Sequence, residues 1–243
     1  MGTTAWLDET GGRLTLAQSI TLSGQAMLQL TRSKLRLSRQ AALAASEQEA
    51  RLQAACQVLA RAQESGDFAP VQASLGSALY NHSCRSYVLG ALLIDATSYA
   101  SLDQEVAVAA ALTHDAGLVQ PNNDDRCFTV ASTAITRRSM EQRVVASERV
   151  LTAQDAVVAH FQPKPPSGAR SETRLLALGA SADIMGFGLN VIAPSIKDDL
   201  WAKWPDLDIS ERFTALLRRE RGRAPRSRAA VLSRTGMTLM MRP

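Results

Sequence analysis

Three histidines occur in this 243-residue chain, His82, His114 and His160, and all lie in its middle half. One is followed by an acid, in the stretch "ALTHDAGL", where His114 and Asp115 stand at the point where an apolar run meets Gly117. Neutral imidazole and carboxylate are the donors that zinc, manganese, iron and nickel accept, and a cation open to water brings that water's pKa toward neutrality. Imidazoles and carboxylates converging from several helices on one divalent metal ion would explain the three histidines and the Asp together. A lone imidazole on an apolar face is otherwise an ordinary hydrogen-bonded core residue.

Helices must position such a set. Alanine and leucine dominate nearly every segment and strand formers are sparse, so the chain reads as all-α. Residues 14–65 read as two long helices with apolar residues at three and four spacing. The "ESGDFAP" stretch, with Gly66 and Pro70, then reads as a linker. Further helices run through "ALYNHSCRSYVLGALLIDATSYA" and "LDQEVAVAAALTHDAG"; the second is apolar nearly all round, so His114 and Asp115 emerge at the end of a buried rod. Another helix begins near Phe128. Ser139 and Gln142, spaced as a capping box, predict a restart that continues to Pro163, with His160 in the last turn. In "SETRLLALGASADIMGFG" a helix presents Asp183 among small and apolar neighbours, where an unpaired carboxylate is costly. Asp208 and Glu211 are spaced as a helix cap.

From Arg212 onward there are nine arginines against one acid, Glu220, leaving eighteen basic and twenty-two acidic residues in the rest. A polyanion would therefore meet the tail rather than the body. The arginine cluster at 218–228 has no aromatic residues interleaved for base stacking, so nucleic acid is not the expected partner. Residues 222–243 lack sustained periodicity and are expected to be flexible and dispensable. No apolar run reaches the roughly 18 residues of a membrane span, and the N-terminus lacks a secretory signal pattern, so the expectation is a cytoplasmic protein. Cys56, Cys84 and Cys127 form no CxxC and predict no disulfide framework. Cys84 reads as core, two residues from His82 and on another helix face. "GFGLN" reads as helix packing, not a dinucleotide loop.

"NHSCRSYVLGALL", then "ALTHDAGL", "VVAHFQ" and "LLALGASADIMGFGL", resemble in order and local context the HD-domain superfamily of metal-dependent hydrolases, and within it the cyanamide hydratase-like branch. The likeness covers roughly residues 67–220. It implies an HD-domain helical bundle at 67–221, an N-terminal helical extension at 1–66 and the basic tail at 222–243. It implies one divalent metal ion, most simply zinc, with manganese, iron or nickel as alternatives. His82, His114, Asp115 and Asp183 would be the metal ligands, and His160 with Asp115 the catalytic pair. Where family members often carry a glutamate, this chain has Thr129, with Cys127 inserted before Phe128; and three histidines are one short of the four that dinuclear members use.

The resemblance implies water attack on a small-molecule electrophile, either a phosphate ester or a small nitrile, as a phosphohydrolase or hydratase. A phosphatase should set basic side chains near the metal, and the candidates are Arg85, Arg126, Arg137, Arg138, Lys164, Arg170 and Arg174; a nitrile needs a tight apolar pocket. The alternative is a non-enzymatic HD-fold sensor or partner-binding module. A homo-oligomer is compatible with either.

Overall fold

The computed structural model describes residues 1–36, 42–121, 124–142, 145–163, 166–236 and 241, and is all-α, with no strand among them. At its centre lie α4 (Ala69–Leu93), α6 (Gln104–Thr113), α9 (Ser147–His160) and α10 (Ser171–Met185). Every residue of α6 from Val106 to Thr113 is buried, as its all-round apolar sequence requires. Two glycines set the spacing of the central pair. A Cβ at Gly179 of α10 would lie 1.7 Å from the carbonyl oxygen of Ser86 in α4, and one at Gly90 would lie 2.3 Å from that of Leu175. Backbone therefore meets backbone, and the residues one turn farther along, His82 and Asp183, are brought face to face.

Around this centre pack α3 (Ala45–Glu64), against α4 and α6, and α8 (Phe128–Glu141), against α9 and α6. α7 (Ala116–Val119) is a single turn following α6. α11 (Pro194–Lys203) and α12 (Ile209–Arg223) follow a 3-10 turn at Leu189–Val191. The "ESGDFAP" stretch is a tight turn, in which Gly66 takes φ +73° and Phe68 enters the core.

Two expected helix boundaries differ. Ser139 lies buried inside α8, and the following helix starts at Ser147, so Ser139 and Gln142 do not form a capping box. Asp208 precedes α12 in a left-handed conformation without capping it; Asp206 Oδ1 accepts from the Ile209 N–H instead.

The chain ends also differ. The stretch expected to be a flexible tail contains α13 (Arg228–Arg234), with Arg228, Ala229, Ala230 and Leu232 buried. It packs on α12 and on α2 (Leu16–Arg36). Its apolar run is barely one turn long, too short to register as periodicity; the burial comes from contacts with the other end of the chain. Leu14 N–H donates to the Arg226 carbonyl at 2.8 Å, and Arg228 lies 5.1 Å from the ring centre of Trp6, in α1 (Thr4–Thr10). Three arginines of this region donate to backbone carbonyls, Arg219 to Leu118, Arg223 to Asp124 and Arg126, and Arg226 to Leu14, and Arg223 also pairs with Glu220.

Candidate metal centre

His82 is on α4, His160 ends α9, and His114 and Asp115 form the corner between α6 and α7. Gly117 keeps that corner tight, since a Cβ there would lie 2.0 Å from the carbonyl oxygen of Phe128. All four side chains are buried, and Asp115 stands at the carbonyl end of α6, where the helix dipole disfavours negative charge.

Partners of the Nδ1 atoms fix the imidazole tautomers. Nδ1 of His114 lies 2.7 Å from the Ala111 carbonyl oxygen and Nδ1 of His160 lies 2.6 Å from that of Val157; a carbonyl only accepts, so each Nδ1 carries its proton. Nδ1 of His82 donates to Asp183 Oδ2 at 2.7 Å. Each neutral ring consequently turns a bare Nε2 inward. His82 Nε2 and His114 Nε2 are 3.2 Å apart, and they lie 3.5 and 3.1 Å from Asp115 Oδ2. His160 Nε2 lies 3.5 Å from Asp115 Oδ1. Both carboxylate oxygens of Asp115, and Nε2 of His160, are buried without a hydrogen-bond partner.

Lone pairs directed at one another and at a buried carboxylate repel unless a positive charge lies among them. His82, His114 and Asp115 form a buried group that could hold a metal ion, their donor atoms all lying within 4.8 Å of one another. Without a cation, a proton takes its place. Burial opposes charge on His82, but Asp115 and Asp183 outweigh it and hold its pKa up at about 9. Burial likewise opposes charge on Asp115, yet His114 and the other two imidazoles hold its carboxyl well below the usual range. Burial prevails at His160, whose pKa is lowered.

Asp183 lies behind this group. Arg85 donates from Nε to its Oδ1 at 2.7 Å and from Nη2 to its Oδ2 at 2.9 Å, while Nη1 donates to the carbonyls of Trp204 and Pro205. Burial pushes the Asp183 carboxyl up, but His82 and Arg85 bring it down to about 2. Asp183 thus faces Nδ1 of His82, not the inward Nε2 that the expected ligand role would place it beside. Arg85 was foreseen only as a cation for phosphate. Its position three residues after His82, on the same helix face, and the need of Asp183 for a counter-charge were the signals for this pairing.

A cavity of about 90 Å³ opens onto His82, His114, Asp115 and His160. Phe161, Ile184, Met185, Phe187, Phe213 and Leu232 supply its apolar wall. None of these was expected to be functional, because wall residues carry no spacing signal apart from that of the core. Thr129, which stands where the resemblance to HD domains would put a glutamate, is buried in α8, and its Oγ1 accepts from Arg228 Nη2 at 3.5 Å. Cys56, Cys84 and Cys127 are free, with Cys84 and Cys127 buried. Gly186 and Gly188 of "GFGLN" take φ +75° and +81°, ending α10 and starting the 3-10 turn.

Fold and site together define an all-α protein with a buried His/Asp group able to accept a metal ion. No helix among the described residues is long and apolar enough to cross a membrane. Compared with known proteins, the chain matches no family model and no curated protein.

Proposed function

We propose that this chain is a metal-dependent enzyme of the HD-domain type that directs water onto a small electrophilic substrate, with His82, His114 and Asp115 holding one divalent ion, most simply zinc. The observation that carries this reading is the orphaned carboxylate of Asp115, buried among three imidazoles whose Nδ1 protons are all directed away from it. A divalent cation there supplies Lewis acidity and makes water a nucleophile near neutral pH. The ordered series His82, His114 with Asp115, His160 and Asp183, in an all-α setting, supports the HD reading.

The remaining roles fall to the chain's own side chains. Asp183, fixed by Arg85, keeps the His82 ring in one tautomer and orientation, as a carboxylate behind a ligating imidazole does. His160, uncharged near neutrality because burial lowers its pKa, turns Nε2 toward the cavity and accepts the proton released as water attacks. The aromatic wall limits the bulk water that would otherwise weaken these interactions.

The test is turnover of a panel of small esters, amides and nitriles by the purified chain before chelation, after chelation and after return of zinc. Turnover that disappears on chelation and returns with the metal is expected. Turnover indifferent to chelation would overturn the proposal.

A further inference from the structure

The wall of the cavity selects the substrate. We propose that the site takes a small uncharged electrophile with an apolar body, and that the C-terminal helix α13 sets its size through Leu232. This rests on the metal-centre reading for the chemistry, but not for the shape and charge of the cavity.

Charge comes first. Among the described residues, no lysine or arginine lines the cavity. The cations that could have served a phosphate are committed elsewhere: Arg85 to Asp183, Arg126 to Asp124, Arg170 to Glu148 and Arg174 to Asp95. Arg137 and Arg138 are exposed on α8, and Lys164 lies outside the described residues. Arg228, though buried, faces Trp6 and Thr129 and does not line the cavity. A phosphate dianion would enter a largely apolar chamber beside the Asp115 carboxylate with no lysine or arginine to meet it, which buried charge does not tolerate. Apart from His82, His114, Asp115 and His160, the polar side chains that line the chamber, Ser181, Gln162 and Thr235, are uncharged.

Size follows from the volume. One water requires roughly 10–15 Å³ measured in this way, so about 90 Å³ holds on the order of six water-sized groups. A nucleotide cannot be enclosed there. Two elements from the chain ends line the chamber: α2 with Ala26, and α13 with Leu232 and, just past its end, Thr235. The side chain of Ser227 caps α13 by accepting from the Ala230 N–H at 3.2 Å, and Arg226 anchors the preceding turn to Leu14, so Leu232 is held by a docked helix.

The experiment uses the full chain, zinc-loaded and zinc-free, with propionitrile and inorganic phosphate as probes. Binding is followed through the methyl NMR signals of Met185 and Ile184, and metal content is measured alongside. Propionitrile is expected to shift those signals while phosphate leaves them in place. Leu232→Trp should weaken propionitrile at least tenfold with metal content unchanged. Leu232→Ala, which avoids any overpacking, should bind the longer hexanenitrile several-fold more tightly than the native chain does. Phosphate shifting the same signals, or nitrile affinities indifferent to both substitutions, would overturn the proposal. A chain that binds propionitrile as expected but takes up no zinc would overturn the metal reading and leave the cavity assignment standing.

Discussion

Asp183 accepts a hydrogen bond from Nδ1 of His82 at 2.7 Å while Arg85 forks onto both its oxygens, so one carboxylate ties the inner face of α10 to the candidate metal centre. Asp183→Asn keeps the shape but removes the charge that holds the His82 ring, and metal affinity should fall 10–100-fold, as for other partners behind a ligating imidazole. A zinc competition titration reads this directly. Complete loss of metal would instead make Asp183 a direct ligand, the role that the resemblance to HD domains implies. Asp183→Asn also leaves the buried Arg85 with only the more distant, partly exposed carboxylate of Asp206, 3.9 Å away, as a counter-charge, and the stability cost should be about 3–5 kcal/mol by chemical denaturation.

The pKa of His82 gives the metal-free chain a pH signature. Held up at about 9, above the ordinary 6.5, the protonated ring stabilises the fold fully below pH 6.5, and that stabilisation is lost as pH rises through about 9. The loss should amount to at most about 3 kcal/mol. With zinc in place the Nε2 lone pair is occupied, so the same window should show little change. Denaturation curves of both forms from pH 6 to pH 10 check this, and parallel pH dependence in the two would count against a shared proton and metal position.

His160 faces the outer oxygen of Asp115 and the cavity, and its Nε2 has no hydrogen-bond partner. His160→Gln should retain the metal and lose the roughly 10²–10⁴-fold in rate that a positioned acid or base contributes. In the native chain the acidic limb of the rate profile should fall below pH 6.5, since burial lowers this pKa. A His160 variant depleted of metal would enlarge the donor set to four.

Removal of residues 225–243 should destabilise the chain, since Val231 and Leu232 are buried and each contributes about 1.5–3 kcal/mol of burial. The cavity would also lose the wall formed by Leu232 and Thr235. A melting temperature unchanged on truncation would show that α13 is undocked in solution.

The sequence made the helices legible wherever an apolar stripe exceeded two turns, as in α6, and it made His82, His114, Asp115 and His160 legible because rare residue types fell in a recognisable order. It left α13 unread because one turn of apolar residues carries no period, and its burial depends on Trp6 and Leu14 from more than two hundred residues away. The placement of Asp183 was unread for a related reason. Composition shows that a buried carboxylate needs a partner, but only the close approach of Gly179 to Ser86 decides that Arg85 and Nδ1 of His82 are those partners.

Metal content tests the central claim most directly. The chain, purified without added metal and then equilibrated with zinc, should bind one zinc ion per chain, and His114→Ala should bind none while keeping its helical circular dichroism. A native chain that takes up no zinc, or a folded His114→Ala chain with undiminished zinc, would contradict the assignment of His82, His114 and Asp115 as a metal centre.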